Sequence, residues 1–338
     1  MSTHSPHSMQ PQSGRRPDRY SQASHATGLA DTELSELSQG LLAPQASISP
    51  KYLYDTLGSK LFEALCLLPE YYPTRTEAAI FEARRSEIAQ AVPRQAVLID
   101  LGAGNCAKAE TLFEPLRPSH YIAVDISADF VRSALRRLRP RHPGIRMQAL
   151  GQDFSRGLEL GDDVPSRGRL FFYPGSSLGN FAPPEARRFL RGLKESTADA
   201  ASLLLGVDLV KDIEILQAAY DDALGVTSAF NLNVLRNINR ILGTDFDVRH
   251  WQHIALFNPT HSRVEMHLQA RHDVLVSWNG HSRRFSQGER IHTENSYKYT
   301  REGLAKLLEE SGWTAGEFWT DEAEWFAVVH ARSESTHP

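Results

Sequence analysis

Cysteine is scarce: Cys66 and Cys106 are the only two among 338 residues. Two isolated thiols exclude a disulfide framework and any cysteine-based metal cluster. That usage is the one expected of a reducing cytoplasm. The 14 histidines are scattered, and their closest pairs lack supporting ligands, so no metal site is expected. Long apolar runs are missing too. No stretch reaches the roughly 18 apolar residues of a membrane span, and no charged stretch leads into an apolar run as in a signal peptide. There is no excess of positive charge. The net charge is −4, which gives no basis for nucleic-acid binding. The arginine-rich run Arg132–Arg141 lies on an amphipathic helical pattern and reads as a solvated face. Internal repeats are absent. Residues 1–28 have almost no large apolar side chain and are expected to be a disordered tail. The remainder, with 41% hydrophobic and 23% charged residues overall, has the composition of an ordinary globular protein.

The informative stretch is Val97-Leu98-Ile99-Asp100-Leu101-Gly102-Ala103-Gly104-Asn105-Cys106. Its apolar, β-branched start reads as a buried strand. Gly102 and Gly104 allow a sharp turn and close approach of a ligand to the backbone. A helical pattern resumes at Lys108. Strand, glycine turn and helix open a nucleotide-binding α/β unit. A dinucleotide site wants G-x-G-x-x-G, but the third glycine position is Ala107. Asp100 at the strand end would repel a pyrophosphate and suits an amino-acid group bearing a sulfonium, as in S-adenosylmethionine. The next strand, His120–Asp125, ends in the acid expected to take up two ribose hydroxyls. A third strand ends near Asp153 and Phe154, where an adenine amino group can be held. Three acids at three successive strand ends are hard to read as solvated loop charges.

Strands are expected near 96–101, 120–125, 145–150, 169–174 and 202–207, with helices near 107–114, 127–138 and 184–196. The alternation predicts a parallel sheet covered on both faces. It stops after Asp208. Helical patterns follow at Ile213–Asp222 and Thr227–Leu242. Alternating stretches come next at 251–256, 262–271 and 273–278, then a loop to Glu294. The earlier theme resumes with a helix at Arg301–Ser311 and strands at 315–320 and 325–331. The fold class expected is therefore α/β: a class I, Rossmann-like, seven-stranded methyltransferase sheet with an inserted α+β substrate-binding domain. Residues 29–75 and 211–299 would form the substrate domain. Residues 76–210 and 300–335 would form the S-adenosylmethionine domain.

Before the sheet, helices are expected at Thr32–Leu42 and Ser59–Leu67. Thr74 and Glu77 have capping-box spacing for a helix running to about Ala91. Taken by spacing alone, Tyr54, Tyr71 and Tyr72 read as packing residues with surface hydroxyls. Asn180, at the end of Tyr173–Phe181, reads equally as an N-cap or as a residue facing a transferred methyl.

Five runs carry a resemblance. They are Tyr52–Asp55, Leu68–Glu77, Pro174–Asn180, Ala219–Asn231 and His292–Lys298. From about residue 33 to 331 the chain resembles the histidine-specific Nα-methyltransferases of ergothioneine biosynthesis. The resemblance implies S-adenosylmethionine bound around Asp100, Gly102, Gly104, Lys108, Asp125, Asp153 and Phe154. It implies that Tyr71, Asn180 and Tyr220 are the catalytic residues and, with Gly175 and Thr227, grip the amino and carboxylate ends of L-histidine. Tyr54, Met266, Glu294 and Ser296 would surround the imidazole. Asn295 and Tyr297 depart from the mycobacterial pattern, where apolar or small residues are expected.

The implied reaction is trimethylation of L-histidine to hercynine by a cytoplasmic monomer whose partner is the small-molecule substrate, with no nucleic acid or membrane. Fungal relatives methylate tryptophan derivatives, so another amino acid, such as tryptophan or a histidine derivative, is the alternative substrate. A non-catalytic module would need a damaged nucleotide site, yet Asp100, Gly102, Gly104 and Asp125 are all present. A dinucleotide oxidoreductase would copurify with its cofactor. From residue types alone, Glu294 recognises a ring N–H or pairs with a nearby cation such as Lys298.

Overall fold

The computed structural model describes residues 23–334. Helix α1 (Ala23–Leu42) starts upstream of the expected Thr32. Of the tail expected to be disordered, residues 1–22 lie outside the described residues, and 23–28 belong to α1. Helix α2 (Thr56–Leu65) is capped by Asp55, whose side chain accepts the Gly58 N–H. Helix α3 (Tyr72–Ala83) overturns the expected capping box. Tyr71 is its N-cap, Pro73 sits in its first turn, and Thr74 lies inside the helix. A proline preorganises a helix start without a side-chain cap. Glu77 is thereby free to turn inward. The helix ends at Arg84, and α4 (Arg85–Ala91) is a separate segment.

From residue 97 strands and helices alternate as expected. The order is β1 (Val97–Leu101), α5 (Ala107–Leu116), β2 (His120–Asp125), α6 (Ala128–Leu138), β3 (Arg146–Gly151), β4 (Arg169–Tyr173), α7 (Pro183–Glu195) and β5 (Ser202–Asp208). Strands β1, β4 and β5 are buried along their whole length, which explains their unbroken apolar runs. Helix α6 buries Val131, Ala134, Leu135 and Leu138, while Arg132, Arg136, Arg137, Arg139 and Arg141 are exposed. The arginine run is a solvated face.

Helices α8 (Ile213–Ala218) and α9 (Val226–Leu242) follow, then β6 (Trp251–Asn258), β7 (Arg263–Ala270), β8 (Val274–Trp278), β9 (His281–Phe285) and β10 (Arg290–Tyr297). The loop expected before Glu294 is thus a hairpin strand and most of another strand. Asn279 and Gly280, with φ of 38° and 81°, make the tight β8–β9 turn. Helix α10 (Arg301–Glu310), β11 (Thr314–Thr320) and β12 (Phe326–Arg332) close the described chain.

The large sheet has the order β11-β12-β5-β4-β1-β2-β3, with β12 antiparallel between β5 and β11. Its order reverses between β1 and β4, so ligands are expected beyond the carboxyl ends of those strands. A three-stranded antiparallel sheet, β10-β7-β6, stands apart. Its core joins Leu41, Leu53 and Tyr71 to Phe230, Trp251 and Ile291. Each such fully buried side chain contributes about 1.5–3 kcal/mol. Segment 43–48 pairs with β10 through Ser47 and His292. The two crossings between the units run side by side: Leu209 bridges Tyr299, and the Tyr299 N–H donates to Asp208 O.

Candidate active site

The turn after β1 is built as its glycines require. Gly102 and Gly104 have φ of +74° and +52°. A Cβ on Gly102 would meet nothing within 4 Å, so that face is open to a cleft. The cleft, about 1510 Å³, is lined by every residue expected to hold S-adenosylmethionine: Asp100, Gly102, Gly104, Lys108, Asp125, Asp153 and Phe154. Asp100 is buried and accepts the Tyr121 hydroxyl at 2.7 Å. Burial nonetheless pushes its carboxyl up to about 7. Asp125 accepts the Gly104 and Ser127 N–H groups, each at 2.9 Å. It therefore pins the glycine turn as well as facing the cleft, and each oxygen retains a lone pair. Asp153 accepts from Ser155 and pairs with Lys51 Nζ at 3.3 Å. Lys51 also reaches Glu33, so the segment before residue 75 walls the cleft.

S-adenosylmethionine presents hydrogen-bond donors at its amino group, ribose and adenine. Three carboxylates around one open glycine turn suit that donor set and disfavour a pyrophosphate. Lys108 is half-exposed and donates to Glu77 at 2.5 Å. Glu77 is buried and also accepts the Gly175 N–H at 2.7 Å, which fixes the loop after β4.

A second, smaller cavity opens onto the cleft. Tyr54, Tyr71, Gly175, Asn180, Tyr220, Thr227, Met266, Glu294 and Ser296 all line it, so the structure brings the whole expected substrate set together. Tyr54, Tyr71, Gly175 and Asn180 line both spaces and form their boundary. Asn180 ends a short 3-10 turn and is not a helix cap, since Ala182 precedes α7. Among the described residues its side chain makes no hydrogen bond. The tyrosine hydroxyls are not at the surface. Tyr54 packs edge-on against Phe62 and Phe230, and Tyr71 against Phe62 and Tyr220. Burial pushes the Tyr54 and Tyr71 hydroxyls well above the usual phenol range, so both stay neutral.

The inserted unit supplies the far wall. Glu294↔Met266 and Ser296↔Val264 pair across β10 and β7, and a bulge at Thr293 shifts the register just before Glu294. Glu294 and Ser296 then share one face, as extended backbone requires. Asn295 and Tyr297 face away: Asn295 bonds His292, and Tyr297 accepts from Arg263. Their departure from the mycobacterial pattern does not touch the cavity.

Glu294 is buried, and its Oε2 has no hydrogen-bond partner. Burial pushes its carboxyl up to about 7, offset only in part by the Lys298 charge. Thr227 Oγ1 is likewise buried and unpartnered. Lys298 pairs with a different acid, Asp208, at 2.8 Å.

Residue-by-residue reading of the sequence missed the group behind this wall. Asp208 accepts the Tyr72 hydroxyl at 2.8 and 2.7 Å, Lys211 at 2.5 Å and Lys298. Lys298 also donates to Ser296 Oγ at 2.6 Å and Tyr220 Oη at 3.1 Å. Asp208 and Lys211 are three residues apart, but Tyr72 and Lys298 lie far from both in sequence, and no spacing links the four. Phe62, which also lines the cavity, gave no local signal either, and Ser176 and Phe230 lie within the family runs without having been singled out.

A seven-stranded sheet with one antiparallel hairpin, an acid-lined glycine turn and an adjoining polar cavity define an S-adenosylmethionine-dependent methyltransferase. A profile of the family described as histidine-specific, SAM-dependent methyltransferase matches residues 33–333, and the chain belongs to that family. It is 39% identical to the histidine N-alpha-methyltransferase of Mycolicibacterium smegmatis, over 90% of this chain and 95% of that one. It is 38% identical to the Mycobacterium tuberculosis enzyme of the same name, over 87% and 92%. Ergothioneine biosynthesis protein 1 of Neurospora crassa is 29% identical over 83% of this chain and 32% of its own length.

Proposed function

We propose that the protein trimethylates the α-amine of L-histidine to hercynine, with S-adenosylmethionine held over the Gly102–Gly104 turn. The observation that carries the histidine assignment is the buried, unpartnered Glu294 Oε2 on the wall of the smaller cavity. Such an atom costs about 1–3 kcal/mol until a donor meets it. An imidazole N–H is that donor, and the Ser296 hydroxyl serves the other ring nitrogen. An indole has one donor and no acceptor, so it cannot serve both groups.

S-adenosylmethionine, when bound, supplies an electrophilic methyl group on its sulfonium. The chain's part is alignment. Tyr71, Gly175 and Asn180, where cavity and cleft meet, and Tyr220 and Thr227, deeper in the cavity, orient the amino and carboxylate ends. Such positioning supplies several kcal/mol, up to about 7–11. The amine must enter neutral, and an α-amine titrates near about 8, so no strong base is needed. Tyr54 and Tyr71, held neutral by burial, remain phenols, and an aromatic ring placed beside the growing cation would contribute about 0.5–2 kcal/mol. The segment before residue 75 and the insertion would act as the amino-acid-binding unit, and the large sheet as the cofactor unit. Mass spectrometry of each common amino acid incubated with enzyme and S-adenosylmethionine tests the reading. Histidine gains three methyl groups if it holds. Preferential methylation of another amino acid overturns it.

A further inference from the structure

The Lys298 ammonium is fully buried among three oxygens: it pairs with Asp208 Oδ2 at 2.8 Å and donates to the side formed by Ser296 Oγ at 2.6 Å and Tyr220 Oη at 3.1 Å, with the serine the nearer acceptor. An ammonium can only donate. Tyr220 Oη and Ser296 Oγ are also 2.6 Å apart, with the tyrosine donating. The phenol is the more acidic hydroxyl, so this is the favoured direction. Ser296 Oγ therefore accepts twice, from Lys298 and from Tyr220, and both its lone pairs are committed. Its own proton is left to point into the cavity it lines. Glu294 lines the same cavity with an unpartnered oxygen, and an ionised carboxylate only accepts. The cavity thus offers one donor and one acceptor.

We infer that Lys298 is a positioning residue for substrate choice: by occupying a lone pair of Ser296 it makes that hydroxyl a donor, so the cavity takes an imidazole that is neutral and in a single tautomer. The inference rests on the histidine reading above. A neutral imidazole has one N–H and one bare nitrogen, and these match Glu294 and Ser296. An imidazolium has two N–H groups and would set one against the Ser296 proton. Glu294 alone would favour the cation, so the discrimination comes from the Lys298–Tyr220–Ser296 group. Tyr72 and Lys211 also bind Asp208, so Lys298→Met leaves that carboxylate with two partners.

The test is nitrogen-15 NMR of ring-labelled L-histidine bound to the full chain with S-adenosylhomocysteine at neutral pH. One pyrrole-like and one pyridine-like resonance are expected. Two protonated nitrogens, or two signals averaged between tautomers, overturn the inference. Failure of histidine to bind while S-adenosylhomocysteine still does overturns the histidine reading and the inference with it. A double-mutant cycle adds a second readout. Ser296→Ala should raise the histidine KM about tenfold in the native background but no more than about twofold in Lys298→Met, whose own KM is already about tenfold higher. S-adenosylhomocysteine affinity should not change in either variant. Effects that multiply independently overturn the coupling. The labelled-histidine spectrum needs no variant, so it decides alone if Lys298→Met does not fold.

Discussion

Asp208 and Glu294 line the same cavity and are both buried, yet their surroundings are opposite. Asp208 is crowded with donors from Tyr72, Lys211 and Lys298. Burial raises its pKa, but Lys298 and Lys211 outweigh that and hold it below the usual range. Glu294 has an oxygen with no donor, and burial dominates. The first carboxylate is an internal post that ties α3, β5 and the return from the insertion together. The second keeps one oxygen that no protein donor meets. Buried charge by itself does not mark a ligand site, and neither does an unmet bond alone, since Trp251 Nε1 is also unmet but lines neither the cavity nor the cleft; Glu294 combines an unmet oxygen with a place on the cavity wall.

The largest expected effect would come from breaking the post. Asp208→Ala leaves two buried lysines uncompensated and should cost about 3–5 kcal/mol of stability in urea unfolding. A loss below about 1 kcal/mol would erase the distinction between the two acids. Asp125 sharpens the comparison from the cofactor side, because it pins the glycine turn yet has lone pairs facing the cleft. Asp125→Ala should weaken S-adenosylhomocysteine binding by at least about 1.5–3 kcal/mol, the value of one charge-assisted bond. Unchanged calorimetric affinity in a folded variant would remove Asp125 from the site.

Opening the other acid should act on substrate and not on folding. Glu294→Ala should lower kcat/KM for histidine by about 1.5–3 kcal/mol and leave that for tryptophan little changed or raised. Equal losses for both amino acids would make Glu294 structural. The smallest effect is on pH dependence. Glu294 holds its proton more tightly folded, with a pKa of about 7 against an ordinary 4.5. Its contribution to stability is therefore present below 4.5 and lost as pH rises through about 7. Unliganded Glu294→Gln should lack that slope. Histidine binding, which needs the carboxylate, should strengthen over the same window. A wild-type stability curve that rises there, with Glu294→Gln parallel to it, would contradict the assignment.

Sequence alone reached the strand ends and stopped short of what lies behind the cavity wall. Val97–Leu101, His120–Asp125 and the glycine turn were legible because local pattern and burial agree there. The hairpin turn at Asn279-Gly280 was passed over, because β9 between polar faces lacks apolar alternation and reads as loop. Thr74 and Glu77 matched a capping box by spacing, but Pro73 had already started the helix. Lys298 is four residues from Glu294 in sequence, which kept it open as an alternative partner on paper.

The sequence by itself determined the class of fold, the acid-lined cofactor turn and, through its family motifs, the residues that meet in the cavity. Each of those rests on neighbours within one strand, turn or motif. Which buried acid receives the lysines was decided only in three dimensions. β5, α3 and the segment after β10 converge on Asp208, while a bulge at Thr293 turns Glu294 into the cavity. Coulomb pairing follows distance through the folded interior, and distance along the chain does not carry it.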